Sequence, residues 1–489
     1  MTITLQCDLN APATPLRHAW RECVGSSRAV MALRADWQQQ MRVAREELGF
    51  RCVRMHGLLD DDMGTVVCQD QQLLYSFHNA DLICDFLLSI GMRPLVELSF
   101  MPEALASGHD TVFRYRANIT PPRQMDQWAT LVGKLAAHWV ARYGIAEVAQ
   151  WRFEVWNEPN LPAFWPAGQQ AYFELYAASA AALKQVDARL QVGGPASAQN
   201  AWIAEFLAWC AAHGAPVDFV STHYYPTDAF GQPGADTMAQ LAHAPPGVMR
   251  ERAREARAQA GQLPLLYTEW SISSNPRDPL HDAAFAAALA LRIALDVDDQ
   301  ADACSYWTFS DIFEENYFPS VPFHGGFGLL SLHGVRKPVY RGFELLAALG
   351  TRCYPLRQDH PTVRLWVGDS GADGDAAPDQ TRILFINQAM PQHPIAREMV
   401  ELSLRPRPGW RARAATVVHI DEQHGNPAQL WRCMGRPEPL TAAQLVRLHQ
   451  ASALHELPLQ RHEADGQAVL RWAMAPQSAG LVRLDWERA

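Results

Sequence analysis

Between about residues 20 and 345 the chain alternates short β-forming runs with amphipathic helical stretches, eight times over. The strand-like runs fall within 24–33 and at 51–55, 94–100, 151–158, 190–194, 218–224, 265–269 and 302–307. Helical stretches separate them at 36–48, 80–90, 124–143, 172–186, 201–213, 249–260, 281–295 and 339–349. In the first of these, Met41, Ala44 and Leu48 share one stripe. Eight β/α units of this length predict a (β/α)₈ TIM barrel over 15–345. The runner-up, an open doubly wound sheet, lacks the Gly-x-Gly-x-x-Gly turn that would normally follow its first strand.

After about residue 350 the texture changes. Runs at 363–367, 382–387, 416–420, 468–472 and 480–484 read as antiparallel strands, and the Gly-, Asp- and Ala-rich stretch 371–380 reads as a loop. These predict a C-terminal β-sandwich accessory domain over 346–489, interrupted by one amphipathic helix near 441–454. The alternating residues 2–9 add a strand to it from the segment 1–14.

A chain of 489 residues suits a large barrel plus a smaller domain. Its formal charge of −10 argues against nucleic acid or an anionic membrane surface as partner. No apolar run approaches the ~20 residues of a membrane helix. The nine scattered cysteines form no Cys-x-x-Cys pair, which points to buried thiols in a reducing compartment. With no basic patch and apolar core in residues 1–10, the expected location is the cytoplasm. The C-terminal sandwich can mediate self-association or brace the barrel.

The chemistry is concentrated at two strand ends. The fourth run closes on Trp156-Asn157-Glu158-Pro159, and the seventh on Thr268-Glu269-Trp270. Active sites of such barrels gather at the C-terminal ends of the strands. Strands four and seven lie three positions apart around a ring of eight, so their glutamates face one another across the mouth. Two carboxyl groups about 5–5.5 Å apart cleave a glycosidic bond with retention; about 6.5–9.5 Å would mean inversion. Asn157 presents an amide beside the sugar's 2-hydroxyl. Arg54 and Tyr225 favour an ionised Glu269, and Trp156 and Trp307 supply a less polar setting for a protonated Glu158. His56 and His223 also end strands and are expected to touch sugar. Trp307 can floor a pyranose ring, and Glu314 and Glu315 can accept hydrogen bonds from vicinal hydroxyls. The 18 histidines show no His-Glu-x-x-His or similar spacing, so neither a metal nor another cofactor is expected.

These motifs resemble the large clan of retaining (β/α)₈ glycosidases. More narrowly the chain resembles glycoside hydrolase family 39, the β-xylosidases. The resemblance runs through Val53-Arg54-Met55-His56-Gly57-Leu58, Trp156-Asn157-Glu158-Pro159-Asn160, Ser221-Thr222-His223-Tyr224, the run from Tyr306 to Glu315, His324-Gly325-Gly326-Phe327-Gly328-Leu329-Leu330, and Ile420-Asp421-Glu422-Gln423-His424-Gly425-Asn426. It implies Glu158 as acid/base and Glu269 as nucleophile, with His56, Asn157, His223, Tyr225, Trp307, Glu314 and Glu315 lining the sugar subsite. It further implies an exo-acting enzyme that releases xylose from small xylo-oligosaccharides. Related readings are an α-L-iduronidase, or another β-glycosidase or α-L-arabinosidase specificity. A non-catalytic carbohydrate-binding barrel is the reading from a different class. One departure stands out: Asp60-Asp61-Asp62 replaces the more usual His-Asp-Asp after the second strand.

Overall fold

The computed structural model describes residues 2–227, 236–316, 318–369 and 379–489. The loop expected at 371–380 lies, as far as residue 378, outside the described residues. Eight parallel strands close into a barrel in chain order, as the alternation predicts: β1 (Val24–Arg28), β2 (Cys52–His56), β3 (Arg93–Leu98), β4 (Arg152–Val155), β5 (Gln191–Ser197), β6 (Phe219–His223), β7 (Leu265–Trp270) and β8 (Ala303–Tyr306). Helices wrap it, from Ala35–Leu48 to Pro338–Ala348, each turning an apolar stripe inward. In the first, Trp37, Met41, Ala44 and Leu48 are buried.

The period-2 pleat sorts the barrel interior into layers. At the N-terminal end Leu95, Phe219, Leu266 and Ala303 pack as an apolar plug with Cys23 and Cys52. Gly193 makes room for this layer, because a Cβ there would stand 2.4 Å from the Phe219 ring. Two residues further along the same strands the layer turns polar: Arg54, Glu97 and Ser221, joined by Glu154 and Thr268, all buried. The charged layer therefore sits on a dry base and under the barrel mouth.

The first strand lies within the expected 24–33, ending at Arg28 before a 3₁₀ turn over Ala29–Leu33. One point differs from the sequence expectation: the fourth strand stops at Val155, three residues before Glu158, because Trp156 and Glu158 take left-handed backbone conformations, with φ of 70° and 42°.

The C-terminal region is a two-sheet sandwich. All five expected strands are present, with Arg352–Tyr354, Glu398–Arg405 and Arg461–Ala464 in addition. Strand Gln380–Asn387 of the seven-stranded sheet is buried on both faces. Ile383 and Phe385 point into the sandwich core, while Leu384 and Ile386 pack with the barrel's helical layer. The helix at 442–452 begins on a Thr441–Gln444 capping box.

Strand Thr2–Asp8 joins the four-stranded sheet in parallel with Glu398–Arg405, pairing Leu5 with Leu402 and Cys7 with Leu404. Removing residues 2–9 takes Leu5 and Leu9 out of the sandwich core, a loss of about 3–6 kcal/mol at roughly 1.5–3 kcal/mol per buried leucine. The truncated protein should melt about 3–6 °C lower by calorimetry. An unchanged melting temperature would show that this strand does not seal the sandwich.

Candidate active site

Arg54 organises the mouth of the barrel from below. Its side chain is completely buried and its fork spans several strands. Nε donates to Glu154 Oε2 at 2.5 Å, Nη1 to Glu269 Oε1 at 2.7 Å, and Nη2 to Asn157 Oδ1 at 2.9 Å, with Glu97 Oε2 2.7 Å from Nη2. Burial opposes the charge, but the three carboxylates outweigh it and raise the guanidinium's pKa. Because Arg54 occupies the Asn157 oxygen, the amide orientation is fixed and its NH₂ group is left for the cavity.

Glu269 comes forward through a β-bulge. Thr222 and His223 are consecutive on β6, yet they pair with Tyr267 and Glu269 on β7, so Thr268 is the extra residue. The bulge lets Thr268 and Glu269, neighbours in sequence, both reach the polar interior. Glu269 Oε2 accepts from Tyr225 Oη at 2.8 Å while Oε1 accepts from Arg54. Burial and the Glu269 charge push the Tyr225 phenol well above its ordinary pKa, so it remains a donor.

Glu158 stands opposite. Its Oε1 lies 2.9 Å from His223 Nδ1, and the His223 Nε2 lies 3.1 Å from Thr268 Oγ1. Glu158, His223 and Glu269 offer atoms that all fall within 4.8 Å of one another. That places the two carboxyl groups in the close range of a retaining pair. The same three side chains have the residue types of a metal triad, but the Arg54 guanidinium at 2.7 Å from Glu269 already supplies the positive charge there.

The cavity over these groups is lined by Asn157, Glu158, Glu269, His56, Tyr225, Trp307 and Glu315. Trp307 stacks obliquely on His56 with ring centroids 4.7 Å apart. Gly25 permits this, since a Cβ there would lie 2.4 Å from the Trp307 ring. Three expected residues are placed elsewhere. Arg54 and His223 lie behind the glutamates and do not line the cavity, and Glu314 turns toward Arg28, 3.9 Å away. Trp156 also faces away, packing on Trp128 and Trp165. The apolar wall is instead Phe113, Leu161 and Phe164, rim residues that carry no motif in the sequence, with Phe327 from the 324–330 run. Glu97, Glu154 and Thr268 were also missed. Glu97 and Glu154 did leave a signal, each being a lone acid inside an apolar strand run.

The Asp60 loop is well anchored. Asp60 is buried, its Oδ1 accepts from the Phe100 N–H at 3.2 Å, and burial lifts its carboxyl to about 6. Asp61 accepts from the Glu103 N–H at 3.1 Å, and Asp62 pairs with Arg28.

With this geometry in place, comparison with known proteins decides the family. The profile of Glycosyl hydrolases family 39 matches residues 3–467. The chain belongs to glycosyl hydrolase family 39. A β-xylosidase of Caldicellulosiruptor saccharolyticus is 45% identical over 442 residues, 89% of this chain and 88% of that protein. One of Geobacillus stearothermophilus is 37% identical, covering 96% and 93%. The crystal structure of a monomeric β-xylosidase from Caulobacter crescentus superposes with a TM-score of 0.85 at 33% identity, over 99% of each chain. Membership of family 39 makes the chain a glycoside hydrolase. Among the described residues no helix is long and apolar enough to cross a membrane.

Glu315 yields a prediction of its own. Burial, helped by Glu269, Glu158 and Glu97, pushes its carboxyl well above the usual 4.5. Its folded pKa thus exceeds its unfolded one. Stability from this group is full below about 4.5 and falls as pH rises toward the folded pKa. Glu315→Gln cannot ionise in either state. The melting temperature of the variant minus that of the wild type should therefore grow between pH 4.5 and 7; a constant difference would place an ionised Glu315 in the cavity.

Proposed function

We propose that the chain is an exo-acting, retaining β-xylosidase that releases xylose from the non-reducing end of xylo-oligosaccharides. The observation that carries the reading is the close approach of Glu158 and Glu269 across one cavity floored by an aromatic ring. Glu269, aimed by Arg54 and Tyr225, attacks the anomeric carbon. Glu158 protonates the departing oxygen, and a covalent glycosyl-enzyme forms. Water then enters, Glu158 takes its proton, and the bond to Glu269 breaks, returning xylose with its β-configuration. The Asn157 NH₂ is offered to the 2-hydroxyl, where hydrogen bonds strengthen as the ring gains positive charge.

The choice of a neutral sugar over an iduronide rests on charge. Among the described residues no Arg or Lys lines the cavity, whereas Glu158, Glu269 and Glu315 do. A substrate carboxylate would enter without a counter-ion, a costly burial.

All nine cysteines are free, two of them exposed, which supports a reducing compartment and a cytoplasmic location. We take a single chain as the working unit, because the Caulobacter crescentus neighbour is described as monomeric.

Proton NMR of early xylobiose hydrolysis should show β-xylose first, with α-xylose appearing only by mutarotation. Immediate α-xylose would mean inversion. Glu269→Gln should lower kcat by at least about 10⁴-fold. Glu158→Ala should lose about 10²–10⁴-fold on xylobiose, keep its first step on dinitrophenyl xyloside, and gain turnover with azide. Equal losses on both substrates without azide rescue would remove Glu158 from the acid/base role. Turnover of a p-nitrophenyl iduronide but not of the xyloside would overturn the substrate assignment.

A further inference from the structure

A hydrogen-bonded chain runs behind the two glutamates: Glu158 to His223, His223 to Thr268, Thr268 to Glu154, and Glu154 to Arg54, which holds Glu269. His223 and Thr268 can each either donate or accept, so the protons are assigned from Arg54 inward. Arg54 can only donate, and its Nε is 2.5 Å from Glu154 Oε2, so Glu154 is the acceptor there. The Thr268 hydroxyl lies 2.7 Å from the other Glu154 oxygen and donates to it. Having spent its proton on Glu154, Thr268 Oγ1 must accept from His223 Nε2. The neutral imidazole therefore carries its proton on Nε2, and Nδ1 has a bare lone pair. Burial, together with the Arg54 and His56 charges, keeps this imidazole neutral. A bare Nδ1 at 2.9 Å from Glu158 Oε1 can only accept, so the proton between them is carried by Glu158.

We infer that Thr268 and Glu154 act through His223 as positioning residues: they lock its Nε2–H tautomer, and the bare Nδ1 holds Glu158 in its protonated, proton-donating form in the free enzyme. The inference rests on the glycosidase reading above. When substrate binds, the O–H of Glu158 turns from Nδ1 to the glycosidic oxygen, and the proton leaves with the alcohol as the C–O bond breaks. Glu158 is then a carboxylate facing a lone pair, an arrangement that favours recovering a proton from the attacking water. His223 neither gains nor loses a proton in the cycle. Its charged and titratable surroundings are Glu158 at 2.9 Å, Glu269 at 3.8 Å, Arg54 and His56 from β2, and Glu154 through Thr268.

Thr268→Val removes the hydroxyl at nearly constant shape. Nε2 then loses its acceptor, and the imidazole can place its proton on Nδ1 and donate it to an ionised Glu158. The basic limb of kcat/KM for xylobiose, which reports the free enzyme, should move to lower pH by about half to one unit, the equivalent of one hydrogen bond. The acidic limb should stay in place. Activity at neutral pH should fall more on xylobiose than on dinitrophenyl xyloside, whose leaving group needs little protonation. Thr268→Ser restores the hydroxyl and should return the basic limb to its wild-type position. An unmoved basic limb, a matching shift of both limbs, or equal losses on the two substrates would overturn the tautomer lock. A wild-type protein that cleaves no xyloside would instead sink the functional reading, so the two failures are distinguishable.

Discussion

The site depends on one guanidinium buried at the heart of the barrel. Most (β/α)₈ interiors are filled by branched apolar side chains. Here only the lower layer is apolar, and the layer above is built around Arg54. Taking a charge out of water costs several kcal/mol, and an ion pair only partly offsets it. The arrangement is therefore poor as a stability device and good as a positioning device. Arginine is suited to it because its planar fork offers five donors in fixed directions. Residues on β3, β4 and β7, together with Asn157 beyond β4, are indexed to that one plane. A lysine could neutralise the same carboxylates but could not set their relative angles.

The backbone departs from regularity where the reactive groups stand. Trp156 and Glu158 hold left-handed conformations that cost non-glycine residues of order 1–3 kcal/mol each. The cost is met locally: Trp156 is wedged among Trp128, Trp165 and Phe100, and its indole N–H donates to the Phe164 carbonyl at 2.9 Å. With Trp156 anchored in this way, Asn157 and Glu158 are thrown over the rim. On β7 the irregularity is the bulge at Thr268. Without it, Thr268 and Glu269 would point to opposite faces of the sheet, and either the nucleophile position or the Thr268 hydroxyl would be lost from the interior.

These irregularities also mark the limit of what the sequence shows. The barrel was legible because its strands are short apolar runs at regular spacing, and the helices between them carry clear stripes such as Met41, Ala44 and Leu48. Glu158 and Glu269 were legible because acid residues end such runs. What lies one layer deeper was not. A bulge has no compositional signature, so Thr268 reads as an ordinary strand residue. His223 and Arg54 look like rim residues by position, yet both are buried behind the glutamates. Glu314 and Glu315 are adjacent in sequence and part company in space, one toward Arg28 and one into the cavity. No periodicity distinguishes them, because the segment that carries them is neither helix nor strand. The apolar rim of Phe113, Leu161, Phe164 and Phe327 comes from separate loops, which pattern alone cannot bring together.

The charge balance of the site bears directly on its chemistry. Five carboxyl groups, Glu97, Glu154, Glu158, Glu269 and Glu315, surround one guanidinium and two imidazoles. They cannot all be ionised in a buried space of this size. Glu97 and Glu154 sit directly on Arg54, and Glu269 shares it. Burial pushes Glu315 toward its protonated form, and Glu158 faces the lone pair of His223. In the proposed mechanism the protons sit on these two groups, while Arg54 and Tyr225 direct their hydrogen bonds at Glu269, the proposed nucleophile. A sugar ring that develops positive charge in the transition state enters a field prepared for it. The same field repels an anionic ring in the ground state, so the distribution that favours bond cleavage also selects a neutral substrate.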